Sequence, residues 1–103
     1  MKIPRQFKAF GHTIRVRYAQ LDRQTDGEWR TDSKLILLSR RLHRKPRTHK
    51  EQIFLHELMH CILDHIGKHK LSSDEGLVDA LAHGLHQAMR GIETQGRKRA
   101  RNK

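Results

Sequence analysis

Hydrophobic and polar residues alternate along residues 12–19, HTIRVRYA, where Ile14, Val16 and Tyr18 are separated by polar side chains. An apolar residue at every second position predicts a β-strand with one buried face. Residues 33–39, SKLILLS, instead contain four consecutive apolar residues. A continuous apolar run of this length predicts a second strand that is buried more deeply.

A turn and a short strand are predicted between these two segments. Asp26-Gly27 is a common turn dipeptide, and Trp29 with its neighbours is a candidate third strand. Together these segments predict a small antiparallel sheet of two or three strands in the N-terminal half of the chain.

The second half of the chain has the periodicity of amphipathic helices. Thr48 is a candidate N-cap for a first helix, and Gly67 is a natural end for it. The apolar residues of this helix fall on one broad face, and they are Leu55, Leu58, Met59, Ile62, Leu63 and Ile66.

A second helix is predicted over residues 73–91. Ser72 and Glu75 have the spacing of a capping box at its start, and Gly91 follows the last periodic residues. Its apolar residues also share one face, and they are Leu77, Val78, Leu81, Leu85 and Met89. The predicted fold class is therefore α+β, with a small antiparallel sheet followed by two packed helices.

One small domain is expected over residues 1–92, with a basic, disordered tail over residues 93–103. The chain has 103 residues, of which 35% are hydrophobic, which is enough for one modest core. Its single cysteine, Cys61, excludes an internal disulfide and suits a reducing compartment. A long apolar run and a signal peptide are both lacking, so we expect a soluble, cytoplasmic protein that does not contact the membrane.

The charge balance is strongly basic, with 22 Lys and Arg against 11 Asp and Glu, a net charge of +11. Such a field attracts nucleic acid or acidic protein surfaces. A basic surface that keeps the protein soluble without binding a partner is the alternative. Charge alone therefore assigns no function.

The segment 54–65, FLHELMHCILDH, contains the pattern H-E-x-x-H at His56, Glu57 and His60. A helix rotates by about 100° per residue, so His60 lies one turn after His56 on the same face. Two imidazoles placed in this way can share a metal ion. Glu57 lies about 100° from His56, beside the pair, where a carboxylate can contact metal-bound water rather than the metal.

The chemistry that this pattern predicts is peptide hydrolysis at one Zn²⁺ ion. Two neutral imidazoles and one further ligand hold the ion and leave a position for water, whose pKa falls toward about 7. Glu57 then takes the proton of that water, and the hydroxide attacks a carbonyl. A chain with nine histidines can match the pattern by chance, but the pair lies at the edge of the apolar helix face, which favours a real site.

The first helix offers poor candidates for the third ligand. On a continuous helix His65 lies about 180° from His56, and Cys61 about 140°, so both point away from the pair. Gly67, the residue that ends the helix, comes after His65 and does not turn it back. Cys61 is therefore expected to be a small core residue.

The second helix offers better candidates, because Glu75, Asp79 and His86 lie on one stripe. When the apolar faces of the two helices pack together, this stripe comes beside the histidine pair. Glu75 is the favoured ligand, with Asp79 accepting the remaining N–H of a ligand histidine. If Glu75 caps the helix instead, Asp79 becomes the ligand. His83 or His86 is a candidate donor to the tetrahedral intermediate.

The combination of H-E-x-x-H with the later segment Glu75-Gly76-Leu77-Val78-Asp79 resembles the HExxH and ExxxD pattern of gluzincin metallopeptidases. The whole layout is more closely similar to the compact ImmA/IrrE-like metallopeptidases, including short phage-encoded versions. The stretches that carry this likeness are HELMHCILDHIG and SSDEGLVDALAHGLHQAM, within about residues 10–90.

The resemblance implies a minimal zincin-like fold and a zinc-dependent endopeptidase. It implies His56, His60 and Glu75 as ligands of one Zn²⁺ and Glu57 as the base. Members of the family often act on regulatory proteins such as repressors, so a protein substrate is implied. This chain departs from the family in lacking a recognisable helix-turn-helix domain, which leaves its target open.

Three alternatives remain from the sequence. The first is a nucleic-acid-binding module with a structural zinc, in which a basic segment contacts phosphates through Arg40, Arg41, Arg44, Lys45 and Arg47. The second is a SprT-like protease that acts on DNA-associated proteins, with His65 or a later histidine as the third ligand. The third is an interaction domain without metal.

Overall fold

Four strands and three α-helices build the part of the chain that the computed structural model describes, which is the backbone of residues 1–101 and the side chains of residues 1–96. The elements in chain order are β1 (Gln6–Ala9), β2 (His12–Ala19), β3 (Gly27–Arg30), β4 (Leu35–Ser39), a 3-10 helix (Arg40–Arg44), α1 (Arg47–His65), α2 (His69–Ser72) and α3 (Glu75–Arg101). The strands form one mixed sheet in the order β1-β2-β4-β3. The predicted α+β class is confirmed.

The strand β1 is missing from the prediction of two or three strands. It pairs antiparallel with β2 across a turn at Phe10 and Gly11, whose φ angles are 54° and 76°. Two consecutive positive φ angles match the twist of a β-hairpin. The sequence hides this turn, because Phe10 is a bulky residue at an angle where Asn or Gly is usual.

The centre of the sheet is parallel, so the predicted antiparallel sheet is wrong there. Val16 of β2 lies opposite Ile36 of β4 in a parallel register. On the other side of β4, Trp29 of β3 lies opposite Ile36 in an antiparallel register. After β2 the chain therefore crosses to the edge of the sheet to form β3, and β4 then lies between β2 and β3. Residue patterns show which face of a strand is buried, but not which strand is its neighbour.

The helix α1 begins at Arg47, one residue before the predicted cap. Its N-cap is Pro46, which makes no side-chain cap hydrogen bond, and Thr48 lies within the first turn. The prediction that Thr48 caps the helix is therefore wrong. The predicted end is confirmed, because Gly67 has a φ of 75° and the next N–H, that of Lys68, donates back to the Leu63 carbonyl at 2.8 Å.

The helix α3 begins at Glu75 and is capped by Asp74. Oδ1 of Asp74 accepts a hydrogen bond from the Leu77 N–H at 3.1 Å. Ser72 belongs to α2, so the predicted Ser72–Glu75 capping box is wrong. Because Asp74 provides the cap, the carboxylate of Glu75 is available for contacts with α1.

The helix α3 does not end at Gly91, as the sequence predicted, but continues through Arg101. Residues 92–101 include Glu, Gln, Lys and Arg, which form helices well enough to tolerate both Gly91 and Gly96. The division into a domain over 1–92 and a tail over 93–103 stays a prediction, and residues 102–103 lie outside the described part.

The helix α1 lies between the sheet and α3 and contacts both. The buried core comes from β2, β4, α1, α3 and the 3-10 helix, and its residues are Ile14, Val16, Ile36, Leu38, Leu42, Phe54, Leu55, Cys61 and Ala82. This layering leaves one side of α1 at the junction of β3 and α3, where polar side chains from three elements meet. Of the helices described, none is long and apolar enough to cross a membrane.

Candidate metal centre

The two motif histidines lie one turn apart on α1 and face the start of α3. The ring centroids of His56 and His60 are 5.0 Å apart. Their side chains are largely buried, with 17% and 15% of their surfaces exposed. Both side chains are therefore shielded by the fold without being fully enclosed.

The carboxylate of Glu75 faces both imidazoles at once. Its Oε2 lies 2.9 Å from Nε2 of His56, and its Oε1 lies 3.2 Å from Nε2 of His60. Glu75 can reach both rings because it is the first residue of α3, which packs against α1. The structure thus gathers the three predicted ligands, two from one helix and one from the next.

The donor set of this group suits a zinc ion. One donor atom from each of His56, His60 and Glu75 lies within 4.8 Å of the other two. Two imidazole nitrogens and one carboxylate oxygen are typical of catalytic zinc sites, which keep a further position for water or substrate. Other divalent first-row metals bind the same donors, so the donor set is compatible with zinc but does not identify the ion.

The second nitrogen of each imidazole also has a partner. Nδ1 of His56 lies 3.0 Å from Oδ1 of Asp79, and Nδ1 of His60 lies 3.0 Å from Oγ of Ser72. When Nδ1 carries the proton, its N–H donates a hydrogen bond to this oxygen, and Nε2 keeps a lone pair that can bind a metal ion. The sequence prediction named Asp79 for this role but gave Ser72 to helix capping.

Glu57 is buried beneath the strand β3. Its residue is only 7% exposed, and a Cβ atom at Gly27 would lie 3.1 Å from its Oε2. Burial raises the pKa of the Glu57 carboxyl from 4.5 to about 7; the positive form of His56 lowers it and the negative charge of Glu75 raises it. The motif glutamate therefore lies beside the histidines, close enough to His56 and Glu75 for their charges to affect its pKa.

An open cavity of about 600 Å³ connects these groups. It is bounded by the loop before β3, by β3 itself and by the two helices α1 and α3. Its lining residues are Gln24, Thr25, Asp26, Gly27, Glu28, Trp29, Ile53, His56, Glu57, His60, Asp64, Glu75 and Asp79. All five residues predicted for the site face this one cavity.

His65, an alternative third ligand, is directed to the other side of α1. Its Nδ1 lies 2.7 Å from the Cys61 carbonyl oxygen, and its ring stacks on Phe10 at a centroid distance of 5.0 Å. Cys61 is fully buried in the core, as predicted, and burial raises the pKa of its thiol to about 11. Neither residue belongs to the group around Glu75.

The two histidines predicted as donors to the reacting carbonyl lie away from the cavity. Nε2 of His86 lies 2.8 Å from Oε1 of Glu51, and both side chains are almost fully buried between α3 and α1. His83 is exposed, and its Nδ1 lies 3.5 Å from Nε2 of Gln52. The candidate donor role is therefore wrong for His86 and has no support from the position of His83.

Asp64, to which the sequence assigned no role, connects α1 to the edge strand. Its Oδ2 accepts hydrogen bonds from Nε1 of Trp29 at 2.9 Å and from Oγ1 of Thr31 at 3.2 Å. These bonds hold β3 against the helix that carries the motif. A sequence signal for this role is lacking, because the partners lie more than thirty positions apart.

The basic segment after β4 is partly engaged in structural contacts. Arg41 donates hydrogen bonds to three backbone carbonyls of the loop that leads to β3, those of Leu21, Asp22 and Thr25. Arg47 lies 3.1 Å from Oε2 of Glu51. Two of the five cations proposed to contact phosphates are therefore held by the protein itself.

No family model, no curated protein and no solved structure matches this chain. The likeness to ImmA/IrrE-like metallopeptidases therefore depends on the sequence motifs alone.

Proposed function

We propose that this protein is a zinc-dependent metallopeptidase with a minimal zincin-like fold, similar to the short phage-encoded ImmA/IrrE-like enzymes. The observation that carries the proposal is the position of the Glu75 carboxylate, 2.9 Å from His56 and 3.2 Å from His60. Glu57, buried next to this group in the same cavity, is the base. A cytoplasmic location suits the single free cysteine and belongs to the proposal.

Three residues would hold the ion, His56, His60 and Glu75. A bound Zn²⁺ supplies Lewis acidity toward water and toward a substrate carbonyl. Asp79 and Ser72 fix the orientation of the two imidazoles through their Nδ1 atoms.

The protein's own proton carrier is Glu57. Its carboxylate accepts the proton of the attacking water and delivers it to the amine that leaves. The low exposure of Glu57 keeps bulk water from competing for that proton.

The edge strand β3 provides a place for an extended peptide. It pairs with β4 on one side only, and Gly27, Glu28 and Trp29 line the cavity. Unpaired backbone groups at a sheet edge can bind a substrate strand. This geometry supports hydrolysis of a protein segment in extended conformation rather than of a small amide.

The arrangement argues against a purely structural zinc. Structural sites usually have four protein ligands and favour cysteine. In the described residues the group contains three donors, and the only cysteine is buried elsewhere. A group of only three donors beside a buried carboxylate favours catalysis.

The direct test compares the wild type with Glu57→Gln on a library of unfolded peptides, with new termini detected by mass spectrometry. The amide keeps the shape of the side chain but cannot take a proton. We expect Glu57→Gln to retain stoichiometric zinc and to lose at least about a hundredfold in turnover. Retained turnover, or loss of zinc, would contradict the assigned role.

A further inference from the structure

The outer face of the sheet is a surface that the proposed peptidase activity leaves without a role. Apolar residues of all four strands face α1, and in the described part no helix covers the opposite side. The residues that alternate outward on the strands are Gln6, Lys8, Thr13, Arg15, Arg17, Glu28, Arg30, Leu35 and Leu37.

Four of these outward residues are exposed cations, Lys8, Arg15, Arg17 and Arg30. Glu28 is the single acid among them, and its Oε2 lies 2.8 Å from Nε of Arg30. We call these four cations the sheet-face patch. The patch therefore keeps a net positive charge after its one internal ion pair is counted.

The strand register sets the spacing of the patch. Arg15 and Arg30 both lie opposite Leu35, one on each side of it. Strands lie about 4.8 Å apart, so their backbones are separated by about 10 Å. Arg17 lies two residues along β2 from Arg15, which places it about 7 Å away on the same face. The cations form a flat two-dimensional array, unlike the single line of a basic helix.

The acidic residues of the protein are concentrated on the opposite side. Apart from Glu28, which borders both surfaces, five of its eleven Asp and Glu line the cavity of the candidate metal centre, and they are Asp26, Glu57, Asp64, Glu75 and Asp79. Among the described residues that line it, neither Lys nor Arg occurs. The positive field at the sheet-face patch is thus little weakened by neighbouring carboxylates.

We propose that the sheet-face patch binds double-stranded nucleic acid through its phosphates. Guanidinium groups donate paired hydrogen bonds to phosphate oxygens, and three of the four cations are arginines. The aromatic residues of the strands, Phe7, Tyr18 and Trp29, pack toward the core, so the patch offers no ring for stacking on single-stranded bases. Binding is therefore to the duplex backbone and independent of base sequence.

The test is fluorescence anisotropy with a labelled 20-base-pair duplex across a series of salt concentrations. The triple variant Lys8→Gln, Arg15→Gln, Arg30→Gln removes three cations of the patch and leaves Arg17, whose Nη1 also donates to the Arg5 carbonyl. We expect at least about a tenfold loss of affinity at low salt, and a salt dependence shallower by about 3 in log–log slope.

A matched control removes the same charge from another surface. Lys68→Gln, Lys70→Gln, Arg90→Gln changes exposed residues of the helical side and lowers the net charge equally. We expect this variant to bind within about threefold of the wild type. Equal losses in the two triple variants would show that only overall charge matters, and would overturn the proposal.

Two further outcomes also decide the question. Absence of duplex binding by the folded wild type at low salt would overturn the proposal, as would patch-dependent binding to phosphatidylserine vesicles without binding to the duplex. Circular dichroism shows whether each variant is folded. Glu57→Gln should bind the duplex like the wild type, so loss of hydrolysis and loss of binding can be told apart.

Discussion

Gly27 lies directly against Glu57, with no room between them for a side chain. A Cβ atom at position 27 would lie 3.0 Å from Cγ and 3.1 Å from Oε2 of Glu57, and 2.9 Å from Cγ2 of Ile53. The glycine is needed here for close packing, and it lets the edge strand cover the carboxylate that we assign as the base.

Replacing this glycine should disturb both the fold and the site. We expect Gly27→Ala to lower the free energy of unfolding by about 1–3 kcal/mol, because Ile53 and Glu57 must move. Turnover should fall as Glu57 shifts. The control is Gly84→Ala on α3, where nothing lies within 4 Å and alanine favours the helix by up to about 1 kcal/mol. Urea titrations of both variants measure the difference, and equal stabilities would contradict the packing argument.

Metal analysis separates the ligand from the residue that orients it. We expect His60→Ala and Glu75→Ala to lose stoichiometric zinc, since each removes one of three donors. Asp79→Asn should keep one zinc per chain but bind it about 10–100-fold more weakly, because Asp79 contacts His56 through Nδ1. Competition with a chromogenic chelator measures both effects. If Glu75→Ala kept its zinc and Asp79→Asn lost it, Asp79 would be the ligand.

The burial of Glu57 should make the metal-free protein less stable at high pH. Its pKa is about 7 in the fold and near 4.5 in the unfolded chain, so folding favours the protonated form. Below pH 4.5 the carboxyl is protonated in both states and has no effect. Between pH 4.5 and 7 the unfolded chain releases the proton that the folded protein keeps, so the free energy of unfolding falls as pH rises, and above pH 7 the loss is constant. In EDTA we therefore expect Glu57→Gln to become more stable than the wild type by up to about 3 kcal/mol at pH 8. A constant difference between pH 4 and 8 would contradict this.

Asp64 can be tested with the single tryptophan of the chain as a probe. Asp64→Ala removes the acceptor of the Trp29 indole N–H and of the Thr31 hydroxyl. We expect a loss of about 1–3 kcal/mol in unfolding free energy and a red-shifted emission as β3 loosens. Asp64→Asn keeps a carbonyl oxygen and should lose less. Unchanged emission in Asp64→Ala would show that packing alone holds the strand.

Helical geometry explains how much of the site the sequence could predict. In any helix of normal pitch, His56 and His60 lie on one face. Glu75 follows them after a short connector, so the sequence alone indicates that its side chain can come close to the pair. Ser72 was assigned to a cap because its spacing from Glu75 fits one, whereas Asp74 lies nearer to the helix start. Ser72 and Asp74 both suit the N-cap of α3, and the sequence does not show which of them caps it, because that depends on the path of the chain between α1 and α3.

The sheet was harder to predict because its order depends on contacts between distant strands. The alternation of Ile14 and Val16 fixed the buried face of β2 but not its neighbour. Trp29 and Asp64 lie 35 positions apart, and their hydrogen bond exists only once β3 is the edge strand. Contacts between such distant residues depend on the order of the strands, and the hydrophobic periodicity of the sequence does not indicate them.

The buried pair of His86 and Glu51 connects α1 to α3 at a second point, outside the cavity of the candidate metal centre. Together with the core contacts, this pair fixes the alignment of the two helices through the protein alone. The three donors are then held near each other before an ion arrives, as in a preorganised chelator. The free energy of metal binding would appear as affinity rather than being consumed by ordering the chain, and zinc could exchange without global unfolding.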